Sequence, residues 1–319
     1  MALKDLLESG KFFKLVCGAG NEDANEVEKL VKLYSAAGCK FFDLSAKEEI
    51  VDAAKKGLDG REGYLCASVG IKGDPHERKA QIDYEKCVGC HKCEEVCPQK
   101  TIRHCKVKQF RCIGCGKCYS VCKRGAISFT SQNKDLRDVL PPLIAKGIDC
   151  IELHAMGDND SEVIEKWNCI NELFDGVLSI CTARQNLSDE KMISRIKQML
   201  DARRPYTTII QADGFPMSGG KDDYKTTLQA VAAGEIVQKE KFQTYLMLSG
   251  GTNSKTAELA KMCDINYNGI AIGTYARKIV RQYIERDDFL TNEYAFNSAL
   301  EIAKQLVNSV NYDFRNFIS

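Results

Sequence analysis

The sequence predicts an α/β fold: a (β/α)8 TIM barrel carrying an inserted, bacterial two-[4Fe-4S] ferredoxin-like module. Three observations predict it. Eight apolar runs of four to six residues alternate with amphipathic stretches. A cysteine block of 36 residues interrupts the third unit of that series. Setting aside residues 71–132 leaves 257 of the 319 residues, close to the ~250 usual for a barrel. A doubly wound sheet is the runner-up, because buried parallel strands read alike in both folds. The count of eight and the glycine-rich ends of units seven and eight favour the barrel. The expected domains are residues 1–70 and 133–319 for the barrel, with 71–132 inserted after strand three.

Strands are expected at Phe12–Cys17, Cys39–Leu44, Tyr64–Val69, Cys150–Leu153, Gly176–Cys181, Thr207–Gln211, Thr244–Leu248 and Gly269–Ile272. Each has the length and composition of a strand buried on both faces. Between them, Glu26–Ala37 puts Val27, Leu30, Val31 and Tyr34 on one helical face. Lys47–Gly57, Asn133–Lys146, Asp160–Phe174, Ser188–Ala202, Tyr224–Val237, Ser254–Met262, Tyr275–Ile284 and Ala299–Val307 read the same way. Ser188 and Asn253 are helix-start signals. Pro141-Pro142 should kink the helix in 133–146 or begin it. Loops that follow barrel strands emerge on the face that carries active sites, so the insert belongs over or beside the barrel mouth.

Within the insert, C-x2-C-x2-C-x3-C occurs twice, as Cys87, Cys90, Cys93, Cys97 and as Cys112, Cys115, Cys118, Cys122. In two-cluster ferredoxins the fourth cysteine of each run ligates the other cluster. The expected ligand sets are therefore Cys87, Cys90, Cys93 and Cys122 for one [4Fe-4S] cluster, and Cys112, Cys115, Cys118 and Cys97 for the second. A zinc site, with four ligands in separated pairs, leaves the third and fourth cysteines of each run unexplained. Gly89 and Gly114 let the loops curl tightly. His91 and His104 read as surface residues, or as neighbours of the ligands, and not as ligands themselves. Cys105 is spare, a core thiol or a sensor thiol.

Composition narrows the setting. Eight of the sixteen cysteines lie outside the two runs and are scattered. That is not the dense pattern of a secreted disulfide scaffold, and a reducing cytoplasm is expected. No stretch reaches the ~18 apolar residues of a membrane span, and the first residues do not read as a signal peptide. A formal net charge of +1 gives no general case for nucleic acid. Residues 71–130 carry 13 Lys/Arg against 6 Asp/Glu. Most of that surplus offsets the charge of two clusters. The remainder points to an acidic partner, a reduced ferredoxin or flavodoxin.

Strand parity turns Asp43, Ser45, Glu152, His154, Gln211 and Asp213 inward or upward. Charges inside a barrel are costly unless paired, solvated or used. Asp43, Glu152, His154 and Asp213 are therefore the candidate catalytic residues, and helix caps or loop braces are the plain alternative for each. His154 is the best proton-transfer candidate because its free pKa lies near neutrality. Lys14 would point inward, where Schiff-base chemistry is open to it. Cys17 and Cys66 end strands and are more simply read as small buried residues. After strands seven and eight, Gly250, Gly251, Gly273 and Thr274, with Arg277 or Lys278, would cradle a phosphate. That phosphate would belong to flavin mononucleotide (FMN) or to a phosphorylated small molecule, and tight turns are the alternative. Arg184 and the loop Gly214–Gly220 are further candidates for holding or covering a ligand. Tyr312, Phe314 and Phe317 are expected to pack on the barrel or on a second subunit, as in a homodimer.

The insert after strand three, the opening Phe13-Lys-Leu-Val-Cys17-Gly-Ala-Gly20 and the loop Asp213-Gly-Phe-Pro-Met-Ser-Gly219 together resemble the light-dependent period protein (LdpA) family. The resemblance implies an iron–sulfur protein, in cyanobacteria one linked to redox input to the circadian clock. It carries the eight cluster cysteines over to Cys87, Cys90, Cys93, Cys97, Cys112, Cys115, Cys118 and Cys122. It also implies a longer C-terminal part in cyanobacterial members, one this chain lacks. Ser249-Gly-Gly251 and Ile272-Gly-Thr274 more weakly resemble the flavin-phosphate loops of dihydroorotate- and dihydrouridine-type reductases. The leading expectation is an oxidoreductase that relays electrons through two [4Fe-4S] clusters to a substrate or flavin at the barrel mouth. A non-catalytic redox-sensing or electron-transfer protein is the alternative. A lyase or aldolase of a phosphorylated substrate is the third reading.

Overall fold

The computed structural model describes residues 3–10, 12–18, 20–72, 74, 78–131, 135–184, 187–214 and 220–311. Most of the loop Gly214–Gly220 and the aromatic residues Tyr312, Phe314 and Phe317 lie outside the described residues. Eight parallel strands close into a barrel. In chain order they are β1 (Phe12–Val16), β2 (Phe41–Ser45), β3 (Tyr64–Val69), β8 (Cys150–His154), β9 (Val177–Ala183), β10 (Thr208–Asp213), β11 (Tyr245–Ser249) and β12 (Gly269–Ile272). β12 pairs back onto β1, with Phe12 opposite Gly269, and this closes the ring. All eight expected strands form. Where their ends differ from the expected ones, the polar residue that finishes the strand, such as Ser45 or His154, still pairs in the ladder.

Strand parity divides the core in two. Leu15, Phe42, Leu44, Ile151, Leu153, Ile210 and Leu248 point outward and pack against the surrounding helices. Phe12, Phe41, Tyr64, Cys66, Cys150, Tyr245 and Met247 point inward and fill the lower barrel. A short helix not foreseen from the sequence, α1 (Leu3–Glu8), plugs that end with Leu3, Leu6 and Leu7. Six residues are too few to show a helical period. The helix α6 (Leu136–Ala145) begins at its Asp135 cap and runs through Pro141 and Pro142 instead of starting there. Ser188 caps α8 (Asp189–Leu200) as expected, accepting from the Lys191 N–H.

The insert leaves the barrel after β3 and returns before α6. Its frame is an antiparallel pair, β4 (Arg78–Ile82) with β7 (Ile127–Ser131), beside a two-residue ladder, β5 (Ile102–Arg103) with β6 (Lys106–Val107). Two short helices, α4 (Lys92–Glu95) and α5 (Lys117–Val121), each carry the third cysteine of a run. The module is clamped onto the mouth of the barrel. Buried Lys79 donates to the carbonyls of Gly20, at 2.7 Å, and Cys112, at 2.8 Å. Arg111 pairs with Glu26 on α2 (Ala24–Ala36). Arg281 on α11 (Thr274–Ile284) donates to the Pro98 carbonyl at 2.8 Å and to Gln99 Oε1 at 3.0 Å.

Candidate functional site

The barrel interior above the apolar plug is polar. Lys14 is fully buried on β1, and its Nζ donates to Glu152 Oε2 at 2.8 Å and to Gln211 Oε1 at 3.1 Å. Asp43 Oδ1 lies 3.7 Å from the same nitrogen, and the Ser68 hydroxyl donates to Asp43. Glu152 also accepts from Ser179 at 2.8 Å and from the Gln211 amide at 2.9 Å. His154 Nδ1 stands 2.7 Å from Asp74 Oδ2, and its Nε2 is 3.6 Å from Glu152 Oε1.

These contacts set the charges. Burial works against the Lys14 ammonium, but the carboxylates of Glu152 and Asp43 outweigh it and hold its pKa well above the usual lysine value. Burial also opposes the Glu152 carboxylate, and Lys14 and His154 overcome that, keeping it well below the usual range. For His154, Asp74 and then Glu152 outweigh desolvation and hold the ring as imidazolium. Asp43 is shifted upward by burial, against the pull of Lys14. Asp213 is pushed up to about 6, chiefly by burial, with Ser249 pulling it down. It titrates near neutrality.

A cavity of about 90 Å³ opens above this layer at the C-terminal ends of the strands. Asp43, Glu152, His154 and Asp213, the four expected acid–base residues, all line it, and so do Gly250, Gly251, Gly273, Thr274 and Arg277. Parity and loop position therefore converge on one place. Lys278 instead is exposed and bonds the Gly220 carbonyl. Arg184 is exposed and paired with Asp189. Lys14 does point inward, but its Nζ supplies the positive charge between Asp43, Cys66 and Glu152, a trio otherwise close enough to hold a metal ion. Cys17 and Cys66 are buried thiols whose pKa burial raises, not activated thiolates.

Sequence reasoning missed Ser68, Ser179, Cys181, Ser249 and Asp74. Parity alone would have found the first four, which share faces with Cys66, with Glu152's neighbours and with Met247. Asp74 has no such signal, since it lies past the end of β3 in the neck of the insert.

The eight cysteines of the insert gather in two groups. Cys87, Cys90, Cys93 and Cys122 line one cavity, together with Ile82, Val88 and Ile127. Cys97, Cys112, Cys115 and Cys118 line another, with Ala80, Ile102 and Phe129. Backbone N–H groups reach sulfurs in both, from Ala126 to Cys122 at 3.3 Å and from Thr101 to Cys97 at 3.3 Å. Four converging thiols, apolar walls and N–H donors to sulfur are the donor set of an iron–sulfur cube. Cys105 and His91 also line the first of these cavities, and His91 is exposed and bonded to Glu94. Ile113, next to Cys112, lines both the inner thiol cavity and the barrel-mouth cavity.

A model of the Light dependent period A C-terminal domain matches residues 143–310. The Light dependent period A protein of Synechococcus elongatus is 30% identical over 297 residues, spanning 88% of this chain and 84% of that protein. The chain belongs to the Light dependent period A family. The C-terminal domain match covers the second half of the barrel, from within α6 to the last helix, α12 (Glu293–Asn311). A 4Fe-4S binding domain model matches twice, at 80–103 and 106–128. Among solved structures, the YdjI aldolase from Escherichia coli K12 is 8% identical with a TM-score of 0.51, covering 98% of this chain and 95% of that one. At that identity the likeness shows the fold alone. The likeness of the last two strand ends to flavin-phosphate loops finds no support among these relatives. The mouth cavity, about 90 Å³, is also well below the roughly 300–1,000 Å³ of pockets that enclose larger ligands. Among the described residues, no helix is long and apolar enough to cross a membrane.

Proposed function

We propose that this protein is a cytoplasmic iron–sulfur oxidoreductase that reduces a small molecule held in the barrel mouth. Cys87, Cys90, Cys93 and Cys122 would hold an outer [4Fe-4S] cluster, and Cys97, Cys112, Cys115 and Cys118 an inner one. Bound there, the clusters supply electrons one at a time. The observation that carries the reading is Ile113. This one residue lines both the inner thiol cavity and the cavity that holds the barrel's acid–base residues.

The chain's own residues manage protons and water. Asp74 fixes the His154 ring through Nδ1 and keeps it charged, which leaves a proton at Nε2 beside Glu152 and the cavity. Asp213, poised at about 6, can give or take a second proton near neutral pH. Ile113 and Met156 add apolar wall that excludes water. The outer cavity is rimmed by Lys92, Lys123 and Arg124, with Val88 62% exposed beside it. That rim suits an acidic electron carrier of the ferredoxin or flavodoxin kind. A lyase working through Lys14 is disfavoured, because its nitrogen is a paired ammonium and not the neutral amine a Schiff base needs.

The test is anaerobic reoxidation. Holo-protein reduced with dithionite is mixed with a panel of small carboxylates, phosphate esters and neutral carbonyl compounds, and cluster absorbance is followed. The expected result is that at least one compound restores the oxidised spectrum, and that His154→Gln slows this without moving the cluster potentials. If no compound restores it, the protein is better read as a redox-sensing or electron-transfer protein without turnover.

A further inference from the structure

Arg277 stands in the first turn of α11, on the wall of the mouth cavity. It is 7% exposed, and Nη1 donates to the Val16 carbonyl at 2.8 Å. Among the described residues no carboxylate forms an ion pair with it. Glu26, the acid whose field supports its charge most, is engaged with Arg111. A buried cation without a counter-charge is costly, and such a group facing a cavity calls for an anion. The fold leaves room for the guanidinium at a specific place. Gly18 has a φ of +113°, and a Cβ there would fall 2.9 Å from Nη1.

A second observation comes from Asp213 on the same cavity. Its Oδ1 is buried with no hydrogen-bond partner, one of two such side-chain atoms among the described residues. A buried carboxyl oxygen left unpaired is also costly, and a ligand donor would relieve it. The other atom, Thr182 Oγ1, belongs to a residue that is not on the cavity wall.

We propose that the barrel mouth binds a small organic oxoanion, a carboxylate or a phosphate ester. Its charged group pairs with Arg277, and a hydroxyl or amino group of the same molecule meets Asp213. This rests on the reading of the mouth as the substrate site and names the class of molecule it takes. Thr274, Gly250 and Gly251 border the same cavity, at the N-terminus of α11 and in the turn after β11. Their backbone N–H groups would be available to an anion held there. A cavity of about 90 Å³ favours a compact ligand.

The test is calorimetric titration of anaerobic holo-protein with two probes, inorganic phosphate and glycolate, a small 2-hydroxycarboxylate. At least one is expected to bind, and which one identifies the acid group. Arg277→Gln should weaken that binding at least about tenfold. Arg277→Lys should retain part of it, and Lys278→Gln, on the exposed neighbour, all of it. Gly18→Ala, whose Cβ would press on the guanidinium from a strained φ of +113°, should weaken it as well without touching its charge. If glycolate is the ligand, Asp213→Asn should weaken it too. Circular dichroism and iron content check each variant, and if Arg277→Gln does not fold, Arg277→Lys and Gly18→Ala carry the test. The proposal fails if neither probe binds, or if the Arg277 and Gly18 variants bind as the wild type does. Binding is read without electron transfer. Failure here with intact reoxidation by a neutral compound would reject the oxoanion and leave the reductase reading standing. Intact binding with no reoxidation would do the reverse.

Discussion

Replacing Lys14 with methionine removes the ammonium from a layer that holds two carboxylates, Glu152 at 2.8 Å and Asp43 at 3.7 Å. Glu152 keeps its bonds from Ser179 and Gln211 but loses its nearest full charge. Breaking a buried pair from one side costs about 3–5 kcal/mol, because the remaining charge is left uncompensated. Glu152→Met should cost a similar amount by stranding the ammonium. Replacing both with methionine removes the closest pair together and leaves Asp43, which keeps its bond from Ser68. The double variant should therefore be less destabilised than the two singles together by about 2 kcal/mol or more. Urea unfolding of anaerobic holo-protein, with the m-value checked for constancy, reads all four corners of this cycle. The pH dependence follows from the direction of each shift. Glu152 is held below its usual value, so its contribution is present above about pH 4 and is lost as pH falls through its folded value. Lys14 is held above its usual value, so its contribution is present below about pH 10 and is lost as pH rises past its folded value. The Lys14→Met penalty should be flat from about pH 5 to 10. Additive single variants, or a single cost under about 1 kcal/mol, would refute the reasoning.

Three other predictions follow from the same contacts. Cys97→Ser should alter the same electron paramagnetic resonance signal as Cys112→Ser, and Cys122→Ser the same one as Cys87→Ser, since each pair lines one cavity; signals grouped by sequence run would contradict the exchange of fourth ligands. Asp213 is raised to about 6 by burial, so the folded protein holds an extra proton between its unfolded and folded values. Stability should then fall as pH rises from about 4 to 6, by at most about 3 kcal/mol, and Asp213→Asn should flatten that slope in thermal melts taken across the range. Arg281→Ala removes the bonds to Pro98 and Gln99, and hydrogen exchange near Gln99–Ile102 should rise severalfold while the barrel strands stay protected.

Two kinds of information were legible in the chain itself, and both are local. Alternation along a strand fixed the direction of Asp43, Glu152, His154 and Asp213, since a side chain's face depends only on its place in the pleat. Cysteine spacing marked the 4Fe-4S binding module and the grouping of each run's fourth cysteine with the other run, because three thiols at that spacing must share one loop. Height and partner were another matter. Parity says that Lys14 and Glu152 face inward; it does not say that they meet. They lie 138 residues apart in sequence, and the stagger of strands around the closed ring brings them level. The Asp74–His154 bond, across 80 residues, depends on how the neck of the insert leaves β3. Ile113 reads in sequence as one apolar residue in a cysteine loop. Only the clamp made by Lys79, Arg111 and Arg281 lays that loop over the barrel mouth and makes the side chain a wall between two sites.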